Sequence, residues 1–187
     1  AAKGIEKALE CIRLREEQEL ATHEEARKAA GLFKVGTDIE AEADQAFLVI
    51  EAIVEKLEAK QKLFQRLDQV LPREVPICSN TSGLRITEIS RLCTCCPERT
   101  MTTHFWLPAH LVPLVEVVMG EKTEEGAAVM VRDELKKWKK SPVLVRRDLP
   151  GQLANRVFQA IIREAIDIVA SGLATAEDVD TAIAAGM

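Results

Sequence analysis

The chain has 187 residues, enough for one ordinary domain or one domain with part of another. Apolar residues make up 47% and charged residues 29%, the balance of a globular protein with a real core. The formal net charge of −5 argues against a nucleic-acid binder, no apolar run reaches the length of a membrane span, and the N-terminus lacks the apolar centre of a signal peptide.

No internal repeat or low-complexity stretch interrupts the chain. Residues 3–20 have helical composition, with Ile5, Leu9, Ile12 and Leu20 near one face. Thr22 followed by Glu25 reads as a capping box that opens a second helix, which stops at Gly31. Thr37 with Glu40 is read as the cap of a further short helix. The run Phe47, Leu48, Val49 and Ile50 has the length of a buried strand. Residues 55–71 return to helical spacing, with Leu63, Phe64, Leu67 and Leu71 on one face and Pro72 as the stop. Residues 75–78 are the next strand, followed by the polar loop Ser79-Asn80-Thr81-Ser82-Gly83, and residues 87–92 form a short helix. Strands are expected at 100–105, 114–118 and 142–145, with a helix over 124–140 between the last two.

After Pro150-Gly151 the pattern changes. Leu153, Val157, Ala160, Ile161, Ala165, Ile168 and Val169 form an apolar stripe over a helix of about six turns. Gly172 ends it, and Thr175 with Asp178 opens a last helix. Two regions result: an alternating strand–helix domain over 1–149, and the start of an all-helical segment over 150–187.

Five cysteines, an odd number without a secretory signal, read as reduced thiols. Cys93, Cys95 and Cys96 are crowded, but a tetrahedral zinc site needs four ligands, usually in two spaced pairs, and no second cluster exists. Free thiols are the expectation and no metal is assigned.

Two polar constellations fall beyond predicted strand ends, where open α/β sheets bind ligands. One is the loop Ser79 to Ser82. The other is His104, with Glu116 twelve residues later inside the apolar run Leu114-Val115-Glu116-Val117-Val118. A carboxylate buried there is costly unless paired, and a histidine is a suitable partner. The carboxylate would fix the imidazole tautomer and raise its basicity. Residue types alone leave the bland readings open: a structural histidine, a carboxylate on an edge strand facing water, and a helix-capping turn at Ser79 to Ser82.

The segments VIEAIVEKLEAKQKLFQRLD, CSNTSGLRITEI, HFWLPAHLVPLVEVV and LPGQLANRV occur in that order. Together they resemble consecutive signature segments of the NAD-dependent L-3-hydroxyacyl-CoA dehydrogenase family, over nearly the whole chain and loosely before residue 33. The resemblance implies a partial Rossmann-like doubly wound α/β sheet, with its first strands and glycine-rich loop missing, followed by the helical segment. It implies oxidation of (S)-3-hydroxyacyl-CoA to 3-oxoacyl-CoA with NAD, in fatty-acid β-oxidation or related coenzyme A metabolism. His104 matches the catalytic base, Glu116 its carboxylate partner, Ser82 a serine on the substrate oxygen beside the nicotinamide, and Asn155 an asparagine that fixes the substrate carbonyl and the histidine. Glu55 and Lys60 match cofactor contacts. Arg15, with Arg13, stands where the family meets coenzyme A, against the plainer reading of a solvated helix face. Lys136, Lys137, Lys139 and Lys140 read as an exposed helix end. The resemblance further implies a homodimer for the full-length protein and a cytoplasmic or, in a eukaryote, mitochondrial-matrix location, with no nucleic-acid or membrane partner.

Two departures stand out. Leu107 replaces a usual asparagine on the nicotinamide side of the site. None of the nine glycines forms G-x-G-x-x-G. These leave a runner-up, a noncatalytic crystallin-like relative that has lost cofactor binding. They also lead to the expectation that these 187 residues are not a self-sufficient enzyme, that an open strand edge is left near Phe47 to Ile50, and that the apolar stripe after Gly151 is left uncovered.

Overall fold

The computed structural model describes residues 2–43 and 45–186. Helix α1 (Ala2–Glu17) packs against α2 (His23–Ala30). Thr22 caps α2 with the full reciprocal box to Glu25, as its spacing predicts. Helix α3 (Ile39–Ala43) differs from expectation in its cap: the Asp38 carboxylate, not Thr37, accepts the N–H of Glu40 at 3.0 Å. Aspartate is the better acceptor for the orphan donors of a first turn.

Five strands follow: β1 (Val49–Glu51), β2 (Ile77–Ser79), β3 (Thr100–Phe105), β4 (Leu114–Met119) and β5 (Ser141–Val145). Helix α4 (Leu57–Val70) joins β1 to β2. The short α5 (Ile86–Ile89) continues into a 3-10 turn over Ser90–Leu92, and α6 (Glu125–Lys137) joins β4 to β5. The sheet order is β1-β2-β3-β4-β5. The first three strands are parallel, β4 is antiparallel to β3, and β5 is parallel to β4. The sheet is therefore mixed. The reversal at β4 arises because a loop, not a crossover helix, links it to β3. Strand β1 starts at Val49, two residues later than expected, because Phe47 lies outside the sheet and is exposed.

Alternation along the strands divides the core between two faces. Phe64, Leu67 and Leu71 of α4 and its end meet Ile77, Ile86 and Ile89 on one side. Val131 and Leu135 of α6 meet Cys78, Met101, Val115 and Val117 on the other. Each such large side chain contributes about 1.5–3 kcal/mol by leaving water. A polar set also lies inside. Asp68 accepts from the N–H groups of Thr94, Cys95 and Cys96, and Arg99 Nη2 donates to the Asp68 carbonyl at 2.9 Å.

The connection from β5 turns sharply at Gly151 (φ +83°) and Gln152 (φ +51°) before entering α7 (Ala154–Ala170). Only glycine adopts the first of these angles without strain. Helix α7 has 17 residues, fewer than the six turns expected, because the stretch before Gly172 holds only about five turns at 3.6 residues each; Gly172 (φ +73°) ends it where expected and reverses the chain toward α8 (Ala176–Gly186). Thr175 caps α8 through the N–H of Asp178 at 3.2 Å. No residue of α7 is buried; of the expected stripe Leu153, Val157 and Val169 are exposed, while Ile161, Ala165 and Ile168 are partly covered, and Phe158 and Ile166 outside the stripe are exposed too. Among the described residues no helix is long and apolar enough to cross a membrane.

Candidate active site

His104 and Glu116 are Cα partners in the β3–β4 ladder, so their side chains share one face of the sheet. His104 Nδ1 lies 2.9 Å from Glu116 Oε2, and His104 Nε2 lies 3.1 Å from Ser82 Oγ. Glu116 is fully buried on a strand flanked on both sides, which removes the reading of an edge carboxylate facing water.

Four donors satisfy that carboxylate. Oε2 takes His104 and also the indole N–H of Trp106 at 2.9 Å. Oε1 takes the backbone N–H groups of Leu153 and Ala154, each at 2.8 Å. Helix α7 has no side-chain cap of its own, so Glu116 supplies one from across the fold. Burial pushes the Glu116 carboxyl upward, but the bonds from Trp106, His104, Ala154 and Leu153 outweigh burial and hold it below the ordinary value of 4.5. An ionised Glu116 requires Nδ1 of His104 to carry a proton, which leaves Nε2 free to accept one and matches a hydroxyl donating from Ser82.

The loop after β2 brings Ser82 to that nitrogen. Asn80 Oδ1 accepts the N–H of Phe105 at 3.0 Å and extends the sheet's bonding past the end of β2. Thr81 Oγ1 accepts the N–H of Leu84 at 3.0 Å and closes a turn ahead of α5, whose N-cap Arg85 has no side-chain cap bond, so this loop does not cap the helix, and Ser82 is directed to the imidazole. Gln152 Nε2 donates to the Thr81 carbonyl at 3.0 Å from the other side.

A second carboxylate pair stands at the end of β1. Lys60, 1% exposed, donates to Glu51 Oε1 at 2.6 Å and lies 3.2 Å from Glu55 Oε2. Glu51 Oε2 accepts from Ser79 Oγ at 2.6 Å. Glu55 accepts from the Thr81 hydroxyl and from the Gly83 N–H at 3.3 Å. For Glu55 too, burial raises the carboxyl, and the bonds from Thr81, Lys60 and Gly83 bring it below the ordinary value. This network fastens the β1–α4 turn to the loop that carries Ser82.

The remaining predicted residues stand differently. Asn155 is on the first turn of α7, half-buried, next to the N–H groups that bind Glu116, and makes no side-chain hydrogen bond to His104, Ser82 or Glu116 among the described residues. Arg15 donates to the backbone carbonyls of His110 and Leu20, so its guanidinium pins α1 to the β3–β4 loop. Lys140 donates to Ala109 and Val112 carbonyls of the same loop, so it is not a free surface cation. Leu107 sits on that loop and is 81% exposed. All five cysteines are free, and among the described residues no group of three or more His, Cys, Asp or Glu side chains could hold a metal.

Sequence reasoning overlooked Glu51, Trp106 and Gln152, and gave Asn80 no part beyond its place in the polar loop. For Glu51 the signal was present: it closes the apolar run of β1 as an isolated acid, the same feature that singled out Glu116.

These residues fit part of a nicotinamide site. The Glu55 carboxylate, 46% exposed just beyond the carboxyl end of β1, retains lone pairs for ribose hydroxyls, and its bonds to Thr81 and Gly83 place it on the loop that carries Ser82 to His104. The nine glycines of this chain contain no phosphate-binding loop.

Comparison with known proteins gives these features a family. Residues 1–149 match the model of the 3-hydroxyacyl-CoA dehydrogenase NAD binding domain, and residues 151–187 match that of its C-terminal domain. A probable 3-hydroxybutyryl-CoA dehydrogenase of Bacillus subtilis is 38% identical over 166 residues, 89% of this chain and 57% of its own. An L-carnitine dehydrogenase of Nocardiopsis dassonvillei is 39% identical over 162 residues, 87% of this chain and 49% of its own. The crystal structure of Mycobacterium tuberculosis FadB2 superposes with a TM-score of 0.86 at 32% identity, covering 99% of this chain and 65% of the other. The chain thus spans about half the length of the curated relatives it matches. On these matches, the chain belongs to the 3-hydroxyacyl-CoA dehydrogenase family.

Proposed function

We propose that this chain carries the proton-transfer site of an NAD-dependent dehydrogenase that oxidises (S)-3-hydroxyacyl-CoA to 3-oxoacyl-CoA. The observation behind it is the placement of His104 between Glu116 and Ser82, with Nε2 as the acceptor nitrogen, bonded here to the Ser82 hydroxyl. In this reading the 3-hydroxyl of the substrate lies between Ser82 Oγ and His104 Nε2. Nε2 takes the hydroxyl proton. Glu116 balances the imidazolium that forms, and its bonds to α7 keep the ring from turning. Ser82 donates to the oxygen as it becomes a carbonyl, and Asn155 fixes the substrate carbonyl. Glu55 holds the nicotinamide ribose, and the buried Lys60 holds Glu55 in place. NAD, when bound, accepts the hydride from carbon 3.

Fatty-acid β-oxidation or related coenzyme A metabolism, a homodimer, and a cytoplasmic or matrix location belong to the same proposal. Exposed Val157, Phe158 and Ile166 on α7 support a surface that further chain or a partner subunit covers. A second reading, oxidation of a small 3-hydroxy acid not carried on coenzyme A, draws on the identity to L-carnitine dehydrogenase. The test, made on a protein that carries these residues together with a glycine-rich cofactor loop, is NADH formation from NAD with (S)-3-hydroxybutyryl-CoA and, separately, with L-carnitine. Activity on the thioester supports the first reading, and activity on carnitine alone replaces it with the second. Activity on neither, in a folded protein that fails to bind NAD, returns the chain to a noncatalytic role.

A further inference from the structure

Trp106 Nε1 and His104 Nδ1 converge on one atom, Glu116 Oε2, each at 2.9 Å. The indole and imidazole rings stand 6.0 Å apart, tilted by 59°. The other carboxylate oxygen is held by Leu153 and Ala154, so the Oε2 lone pairs are divided between the two rings. A neutral indole N–H disperses negative charge that would otherwise act on the imidazole.

We propose that Trp106 is a positioning residue that sets the strength of Glu116 as the partner of His104, and thereby the pH at which His104 can act as a base. The proposal rests on the reading of His104 as the proton acceptor. With the indole in place, Oε2 attracts the imidazolium less strongly, and His104 releases its proton at lower pH. Without it, Oε2 is left to the imidazolium, the charged form is favoured, and the free base appears only at higher pH.

The surrounding charges do not blur this assignment. The loop from Ser79 to Gly83 carries no charged residue, and neither does β5, whose Val143 is the Cα partner of Glu116. Strand β3 contributes only His104, and β4 only Glu116. In residues 146–153, Arg146 is paired with Glu125 at 2.6 Å, Asp148 accepts the Thr87 N–H at 2.8 Å and lies 3.7 Å from Arg85, and Arg147 makes no side-chain contact with either ring among the described residues. The first turn of α7 carries Arg156, which is exposed. Glu55 reaches the loop through the Thr81 hydroxyl and the Gly83 N–H, not through the Ser82 side chain.

The test is an NMR titration of the His104 ring, assigned among the three histidines by substitution of His23 and His110. It compares wild type, Trp106→Phe, and a variant with benzothienylalanine at position 106, which keeps the bicyclic shape and replaces N–H with sulfur. Both variants should titrate about half a unit higher than wild type, and the acid limb of kcat/KM should move by the same amount. A midpoint that stays fixed or falls in the benzothienylalanine protein overturns the proposal, and that variant decides the matter if Trp106→Phe fails to fold. A shifted titration in a protein without dehydrogenase activity counts against the enzymatic reading and leaves the indole's effect on His104 standing.

Discussion

His104 and Glu116 face each other across the β3–β4 ladder with Nδ1 2.9 Å from Oε2, and the second oxygen of the same carboxylate caps helix α7. One side chain therefore links the orientation of the imidazole to the docking of the helical segment. The consequences can be measured.

Glu116→Gln should damage stability and pH response together. In the folded protein its carboxyl lies below 4.5, so folding favours the charged form. That contribution is fully present above the unfolded value and disappears as pH falls through the folded one. Acid denaturation of wild type should thus steepen below pH 4.5, and Glu116→Gln should show a shallower acid loss from a lower plateau. Circular dichroism across a pH series reads both.

Lys60→Met should cost about 3–5 kcal/mol in urea unfolding, because it leaves Glu51 buried without its cation. The double change Lys60→Met with Glu51→Leu should recover much of that loss. A single variant as stable as wild type would show that the pair does not hold the β1–α4 turn.

Leu107→Asn places an amide where the resemblance has one, on a loop where the present side chain is 81% exposed. With the residues joined to a glycine-rich cofactor loop, titration with NAD should show tighter binding, on the order of 0.5–1.5 kcal/mol for one restored hydrogen bond. Equal affinity would remove position 107 from the cofactor site.

Thiol labelling should be ordered. Cys95 is exposed, whereas burial pushes Cys78 and Cys93 up to about 12. At neutral pH a disulfide reagent should modify Cys95 first and reach Cys78 and Cys93 only after unfolding. Early labelling of Cys78 would contradict the packing of β2.

The parts of this structure legible in the sequence are those governed by local chemistry or by one strong anomaly. Strand β3 has the expected limits, and the Thr22 box forms as its spacing requires. Glu116 stood out because an acid inside an apolar strand demands a partner. What escaped depends on tertiary placement. Phe47 looks like a strand residue but faces outward, and Asp38 displaces Thr37 as a cap by one position. The reversal of β4 is set by a loop whose carbonyls are held by Arg15 and Lys140 from distant elements. Trp106 was visible two residues after His104, but its indole reaches Glu116 only because the chain turns there. For Arg15 the sequence offers a solvated helix face beside the coenzyme A contact that the resemblance implies, and it could not show that the guanidinium also bonds the carbonyls of His110 and Leu20.

The measurement that bears most directly on this account is NADH formation from (S)-3-hydroxybutyryl-CoA by a protein that carries these residues together with a glycine-rich cofactor loop, in wild-type form and as His104→Gln, with NAD affinity and fold checked in both. The account predicts stereospecific turnover in wild type and a loss of about two to four orders of magnitude in kcat for His104→Gln, at little change in NAD binding. Near-normal turnover by a folded His104→Gln protein would contradict it.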